Sequence, residues 1–173
     1  MLRKRILDGA ERLLLKEGLD GFRLDAVAAE AGVSKGGLLH HFRSKQALVD
    51  GVLLRRVDEF DAFLPEPGDP PGVFTRAWLD AAVPEVAPET GGSHDQIVVV
   101  LLSALAGGSS MEILRERYET WQHKLAADGL DPVVATLVRV AADGWWLSHV
   151  LNLAPPQGLL YQQMRAEILR LLS

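Results

Sequence analysis

The chain has 173 residues, of which 48% are hydrophobic and 24% charged, and its formal net charge is −5. This composition is sufficient for a buried core and excludes a disordered chain. The sequence has no cysteine, which excludes disulfides, thiolate zinc sites and cysteine nucleophiles. The longest apolar run, residues 97–108, is shorter than the roughly 20 residues that a membrane span needs. We therefore expect a cytoplasmic protein.

The charge is unevenly distributed along the chain. Residues 1–45 contain nine Lys and Arg against six Asp and Glu, whereas the remainder contains nine against seventeen. No Asp or Glu occurs between residues 31 and 49. Because salt screens charges beyond about 8 Å, the local sign matters more to a partner than the total. The N-terminal segment is therefore expected to bind an anion.

Residues 24–42, LDAVAAEAGVSKGGLLHHF, predict two short helices joined by a tight turn. The first helix has four apolar residues at the i, i+3, i+4, i+7 spacing of one helical face, namely Leu24, Val27, Ala28 and Ala31. Gly32 can adopt the positive φ that ends a helix, and the Ser34 hydroxyl can cap the next one. In the second helix Leu38 and Phe42 face the body of the protein. The outward surface then consists of Lys35, Gly36, Gly37, Leu39, His40 and His41.

The stretches AGVSKGGLLHHF and FRSKQAL resemble the DNA-binding domain of the tetracycline-repressor (TetR) family. The resemblance covers residues 1 to about 50, including a preceding helix at residues 2–17 and the turn glycines Gly18 and Gly21. It implies a homodimeric transcriptional regulator, usually a repressor, which a small-molecule effector releases from a palindromic operator. It also implies a DNA-binding domain at residues 1–46 and a helical ligand-binding and dimerisation domain at residues 47–173. Such a protein is nucleoid-associated when it is bound to DNA.

The resemblance also suggests which residues contact DNA. Two positions depart from the commonest pattern, because Gly37 stands where many members have Thr and Leu39 where many have Tyr. Two hydrogen-bonding side chains are therefore missing, although Leu39 can still contact a thymine methyl group. Arg23 replaces the usual Ser or Thr helix cap and adds a possible phosphate contact. The predicted DNA-binding residues are Arg23, Ser34, Lys35, Gly36, Gly37, Leu39, His40, His41 and Lys45.

Beyond residue 45 the periodicity predicts further helices and no strand ladder. The predicted segments are 45–64, 72–86, 93–106, 109–127, 131–153 and 156–172. The proline cluster at residues 65–72 is the clearest break between them. With the three helices of the N-terminal domain, the total is about nine. The expected fold is therefore all-α, with an N-terminal three-helix helix-turn-helix domain and a C-terminal helical dimerisation and ligand domain.

Large aromatic side chains are concentrated in the C-terminal part, where three of the four tryptophans fall within residues 121–146. Packing in the core is the simpler interpretation for any one of them. Together they indicate a helical domain that can hold a small apolar or aromatic effector. The candidate ligand-binding residues are Phe60, Trp78, Met111, Tyr118, Trp121, Trp145 and His149.

The segment 131–153 is apolar on two faces, which predicts burial on both sides. One face can cover the domain interior, while the other meets a second subunit with Gly144 allowing close approach. The segment 156–172 would complete a four-helix bundle between two copies. The predicted dimer-interface residues are Val133, Leu137, Val140, Gly144, Leu147, Leu151, Leu160, Met164 and Ile168.

Evidence for an enzyme or a metal protein is thin. Glu119 and His123 share a helix face, but such a pair is usually an ordinary surface pair. The sequence has no phosphate-binding glycine loop, no nucleophile elbow and no repeated metal-ligand spacing. We expect neither catalysis nor a metal or other cofactor. The alternative that stays open is a helix-turn-helix protein that acts without an inducer or through protein contacts.

Overall fold

The computed structural model describes residues 1–86 and 110–172. The predicted helix at residues 93–106 lies outside the described residues. Eight helices and no strand occur within the described ranges, as an all-α fold requires. The helices are α1 (Leu2–Gly21), α2 (Leu24–Glu30), α3 (Lys35–His41), α4 (Lys45–Phe63), α5 (Val73–Ala82), α6 (Ser110–Ala126), α7 (Pro132–Val150) and α8 (Gly158–Arg170). None of these helices is both long and apolar enough to cross a membrane.

The chain divides into two compact units. The first comprises Met1–Glu59 and Ser93–Arg115, and the second comprises Phe60–Gly92 and Glu116–Ser173.

In the first unit, α1, α2, α3 and most of α4 enclose a core that includes the fully buried side chains of Phe22, Leu38 and Leu48. Helix α1 is interrupted at Gly18, where φ is +63°, near the predicted helix end at residue 17. Helices α1 and α2 approach closely, because a Cβ atom added at Gly9 would lie 2.8 Å from the Cβ of Ala31. The predicted apolar face of α2 is confirmed for Val27, Ala28 and Ala31, which are buried, while Leu24 is half-buried.

Helix α4 begins after Ser44, whose hydroxyl accepts a hydrogen bond of 3.0 Å from the Ala47 amide. It ends at Phe63, one residue before the predicted end. Val49, Leu53 and Val57, which recur at four-residue spacing along the helix, are buried. This helix therefore contributes a full face to the core of the first unit.

In the second unit, α5 and α7 end earlier than predicted. Helix α5 ends at Ala82 rather than at residue 86, because Pro84 disfavours helical geometry at Val83, which has φ −134°. Helix α7 ends at Val150 rather than at residue 153, and Asn152 and Ala154 have positive φ in the turn that follows. Periodicity did not detect these ends because apolar residues continue past them.

The start of α5 is capped from a distant part of the chain. The carboxylate of Asp128 is completely buried and accepts hydrogen bonds from the amides of Phe74 and Thr75, at 3.1 and 2.7 Å. It also accepts the Thr75 hydroxyl at 2.8 Å and the Gly68 amide at 3.1 Å. Asp128 thus supplies the cap that the first turn of α5 lacks locally.

Candidate functional site

The turn between α2 and α3 follows the geometry that the sequence predicts. Gly32 has φ +63°, and the Val33 amide donates to the Ala28 carbonyl at 2.9 Å. Ser34 caps α3, since its hydroxyl accepts a 3.0 Å hydrogen bond from the Gly37 amide. Leu38 and Phe42 are buried, which leaves the opposite face of α3 toward solvent. Two short helices joined in this way define a helix-turn-helix protein.

Most residues predicted to bind DNA lie at this surface. Arg23 is the N-cap residue of α2, and its side chain makes no capping hydrogen bond. Leu39 and Gly37 are half-buried. The remaining predicted residues are exposed, namely Arg23, Ser34, Lys35, Gly36, His40, His41 and Lys45. A Cβ atom added at Gly36 would meet nothing within 4 Å, so the surface is open at this point.

Two arginines stabilise the motif from α1, and the sequence analysis did not identify them. Arg5 donates to the carbonyls of Ala31 and Gly32 at 3.2 and 3.0 Å, which satisfies the end of α2. Arg12 pairs with Glu30 at 2.8 Å. Both partners are more than fifteen residues distant along the chain, so no local pattern reveals them.

Asp25, which the sequence analysis also did not select, adds a negative charge beside the outward surface of α3. It lies in the first turn of α2 and forms an ion pair with Lys35 at 2.9 Å. The surface is therefore less uniformly positive than the acid-free stretch at residues 31–49 suggests.

The first unit also contains a charged cluster between α1 and α4. Arg55 donates to Asp8 at 2.6 Å and to Glu11 at 3.0 Å, and Arg56 pairs with Glu11. The hydrogen bond from Lys4, together with that from Arg55, holds the pKa of Asp8 below its usual value. Since Arg55 and Arg56 lie ten or more residues into α4, these pairs connect α1 to α4 well beyond residue 46.

Four of the predicted ligand-binding residues form one aromatic cluster in the second unit. The Trp78 and Trp121 rings lie 5.2 Å apart, and Phe60 lies 5.1 Å from Trp78 and 5.3 Å from Trp121. Tyr118 lies 5.2 Å from Trp121. All of these pairs meet edge to face, which is a favourable geometry for aromatic rings. This aromatic cluster (Phe60, Trp78, Tyr118 and Trp121) is closely packed, because Trp78 and Trp121 are only 2% and 3% exposed.

Two carboxylates accept the indole N–H groups of this cluster. Asp143 accepts from Trp78 at 3.0 Å and from Arg139 at 3.0 Å, while Asp61 accepts from Trp121. Burial raises the pKa of Asp143 above its usual value. Burial, and secondarily the charge of Asp143, raises the pKa of Tyr118 to about 12.

The other predicted ligand-binding residues lie elsewhere. Met111 belongs to the first unit. Trp145 packs on Tyr161 of α8 with ring centroids 5.0 Å apart, and His149 is half-buried. An open cleft of about 560 Å³ in the second unit is lined by different residues, namely Arg76, Asp80, Pro84, Glu85, Arg165 and Leu169.

One face of α7 and α8 exposes large apolar side chains. Leu137 and Val140 are 57% and 54% exposed. Of the residues predicted for the dimer interface, eight are exposed, namely Val133, Leu137, Val140, Gly144, Leu147, Leu151, Leu160 and Met164. Ile168 differs, because it is only 9% exposed and packs in the interior of its own chain. Among the described residues, no group of three or more His, Asp or Glu is arranged to hold a metal ion.

Two protein-family models match this chain. "Bacterial regulatory proteins, tetR family" matches residues 6–52, and "Tetracyclin repressor-like, C-terminal domain" matches residues 72–173. The chain therefore belongs to the TetR family of bacterial regulatory proteins.

Individual relatives agree with this assignment. The chain is 23% identical to the HTH-type transcriptional regulator UidR of Escherichia coli over 118 residues, which cover 68% of this chain and 59% of UidR. It is 31% identical to the HTH-type transcriptional repressor KstR2 of Rhodococcus jostii over 97 residues, 56% of this chain and 47% of KstR2. The chain thus matches about half to three-fifths of the length of these relatives. The multidrug binding protein EbrR, solved with malachite green, superposes with a TM-score of 0.72 and 26% identity over 99% of this chain and 98% of EbrR.

Proposed function

We propose that the chain is a DNA-binding transcriptional regulator of the TetR type, which acts as a repressor until an effector releases it from its operator. The observation that carries the proposal is the exposed face of α3, held outward by buried Leu38 and Phe42. A recognition helix needs such a face to enter the major groove. The proposed role places the protein in the cytoplasm, on the nucleoid when DNA is bound, and requires no catalysis.

The proposed DNA contacts are those of the sequence analysis. Lys45 and His41 would neutralise or donate to phosphates, which positions the protein without reading sequence. Gly36 would let the backbone approach the groove, since it has no side chain and the space that a Cβ atom would face is open. We retain the functional division into a DNA-binding domain at residues 1–46 and a helical ligand-binding and dimerisation domain at residues 47–173.

The proposed regulator is a homodimer. The large apolar side chains exposed on α7 and α8 support this, because exposed apolar surface of this kind is typical of an interaction site. A dimer would present two recognition helices to successive major grooves of a palindrome, about 34 to 36 Å apart.

The proposed effector is a small apolar or aromatic molecule. EbrR, which shares the fold, was solved with malachite green, an observation that supports an aromatic ligand here. The aromatic cluster would be its site in this chain.

A regulator without an inducer is the second candidate. The dense packing of Trp78 and Trp121 favours it, because aromatic rings that already pack against one another can serve as the hydrophobic core without a bound ligand. The two candidates differ in one respect, which is whether a compound changes DNA affinity.

Selection from random duplex DNA with the purified full chain tests DNA reading. A palindromic consensus whose affinity falls steeply with salt is expected, and no sequence preference would refute the proposal. Aromatic dyes, including malachite green, would then be titrated into the complex with DNA. A compound that both raises the unfolding temperature and releases DNA supports the inducible regulator, and stabilisation without release favours the second candidate.

A further inference from the structure

Asp25 and Lys35 form a pair across the two helices of the helix-turn-helix motif. The Lys35 ammonium lies 2.9 Å from one carboxylate oxygen of Asp25 and 3.2 Å from the other, so it bridges both. The side chains are 59% and 70% exposed for Lys35 and Asp25. The pair is therefore exposed to solvent at the point where α3 begins.

The motif contains only one other acid, which has a different location. Between residues 22 and 49 the sequence has two acids, Asp25 and Glu30. Glu30 pairs with Arg12 of α1 at 2.8 Å, and Arg12 also donates to the Glu30 carbonyl at 3.2 Å. Asp25 thus pairs with a residue of α3, whereas Glu30 pairs with a residue of α1. Of the two carboxylates, it is therefore that of Asp25 that can influence how α3 contacts DNA.

A carboxylate at a surface that meets phosphates is unfavourable unless it makes a compensating contact. The pair with Lys35 supplies part of that compensation, and the carboxylate has lone pairs left over. Likewise, the ammonium has three donors, of which Asp25 occupies one or two. The pair thus presents an acceptor and a donor side by side.

In the major groove a G·C base pair has the complementary arrangement. Guanine offers the O6 and N7 acceptors, and cytosine offers the N4 amine as a donor. Lysine reads the first and an acidic side chain the second. An A·T pair has a different arrangement, because the adenine N6 amine, a donor, replaces the guanine O6 acceptor, and the thymine O4 acceptor replaces the cytosine amine.

We propose that Asp25 and Lys35 act as one unit that reads a single G·C pair in each half-site, with Asp25 accepting from cytosine N4 and Lys35 donating to guanine. On other sequences Lys35 stays paired with Asp25 and releases no counterion from phosphate. Asp25 is thus a specificity-determining residue. This inference rests on the proposed DNA-binding function.

The test uses the full chain and the operator obtained by selection. Each G·C pair is replaced in turn by A·T, and affinities are measured for the wild type, Asp25→Asn, Lys35→Met and the double variant. The wild type is expected to lose about 5- to 100-fold at one G·C pair per half-site. Asp25→Asn is expected to lose most of this discrimination at that pair alone. Glu30→Gln is the matched control, since it removes the other acid of α2, and it should retain the full discrimination.

Salt dependence on non-specific DNA gives a second readout. Asp25→Asn frees Lys35 to neutralise a phosphate, so the slope of log affinity against log salt should steepen by about 0.9. In the Lys35→Met background the same change should leave the slope unaltered. Because both side chains are exposed, the unfolding temperatures of the variants should match that of the wild type.

The outcomes separate the two proposals. If the wild type shows no sequence preference, DNA reading fails and this inference fails with it. If the wild type has a preference and Asp25→Asn retains discrimination at every G·C pair, only the role of Asp25 and Lys35 is overturned. A salt slope unchanged by Asp25→Asn would overturn it equally.

Discussion

The ring of Phe42 lies against Gly51 with no space for a side chain between them. A Cβ atom at Gly51 would be 2.5 Å from the Phe42 Cε1 atom, and Phe42 is only 4% exposed. Phe42 directly follows α3 and Gly51 lies within α4. This contact therefore sets how closely the recognition helix packs on α4.

Gly51→Ala should destabilise the protein through overpacking. The buried Phe42 ring has to shift, which costs about 1 to 3 kcal/mol and exceeds the gain of about 0.5 to 1 kcal/mol from replacing a helical glycine. Urea unfolding followed by circular dichroism measures the free energy of unfolding. DNA affinity should fall as well, because the same shift displaces α3.

Gly36→Ala is the matched control, since a Cβ atom there meets nothing within 4 Å. Its stability should be equal to that of the wild type or higher by up to about 1 kcal/mol. If Gly36 approaches the groove as proposed, DNA affinity should nevertheless fall. Equal destabilisation by both substitutions would contradict the steric explanation.

Asp128→Asn should cost about 2 to 4 kcal/mol of stability. The buried carboxylate accepts four hydrogen bonds, three of them from backbone amides, and an asparagine NH₂ group can accept none of them. At least one buried donor is then left without its partner. Denaturant unfolding with tryptophan fluorescence measures the loss.

Asp131→Asn supplies the comparison for Asp128. Asp131 also caps a helix, because it accepts from the Val133 amide at 2.8 Å, but it is exposed. Asparagine caps helices about as well as aspartate, so stability should change by less than about 0.5 kcal/mol. A similar loss at both positions would show that burial of the Asp128 carboxylate is not the cause.

Local patterns were sufficient to predict the motif. The turn at Gly32, the cap at Ser34 and the inward positions of Leu38 and Phe42 depend on residues within a few positions of each other, and the structure has them as expected. The membership of the TetR family followed from the same short stretch. These features depend on the spacing of residue types along the chain, which can be read directly from the sequence.

Long-range partners could not be predicted in this way. The Asp25–Lys35 and Arg12–Glu30 pairs join residues ten and eighteen positions apart, and Asp128 caps a helix more than fifty residues earlier. Whether the aromatic residues line a pocket or fill a core was also open in the sequence. Helical spacing determines on which face of a helix a side chain lies, but it does not determine how densely the surrounding side chains pack.

Stability at high pH should depend on Tyr118. Its pKa is raised to about 12 from 10.0, so the folded state favours the neutral phenol. The resulting stabilisation is complete below pH 10, the value for the unfolded chain, and is lost as the pH rises toward 12. Between pH 9 and 12 the wild type should therefore lose about 1 to 2 kcal/mol more than Tyr118→Phe. Urea unfolding of both proteins across this range provides the measurement, and parallel curves would contradict the assigned pKa.

Leu137→Asp combined with Val140→Asp should convert the proposed dimer into a monomer. Both side chains are more than half exposed on α7, so charges there cost the isolated chain little but would be unpaired in an apolar interface. Sedimentation velocity gives the mass, and circular dichroism should show unchanged helicity. Phe63→Asp is the control, because Phe63 is 60% exposed at the end of α4 and outside the predicted face. A dimer that persists in the double variant, or that dissociates with Phe63→Asp, would show that the face of α7 and α8 is not the interface.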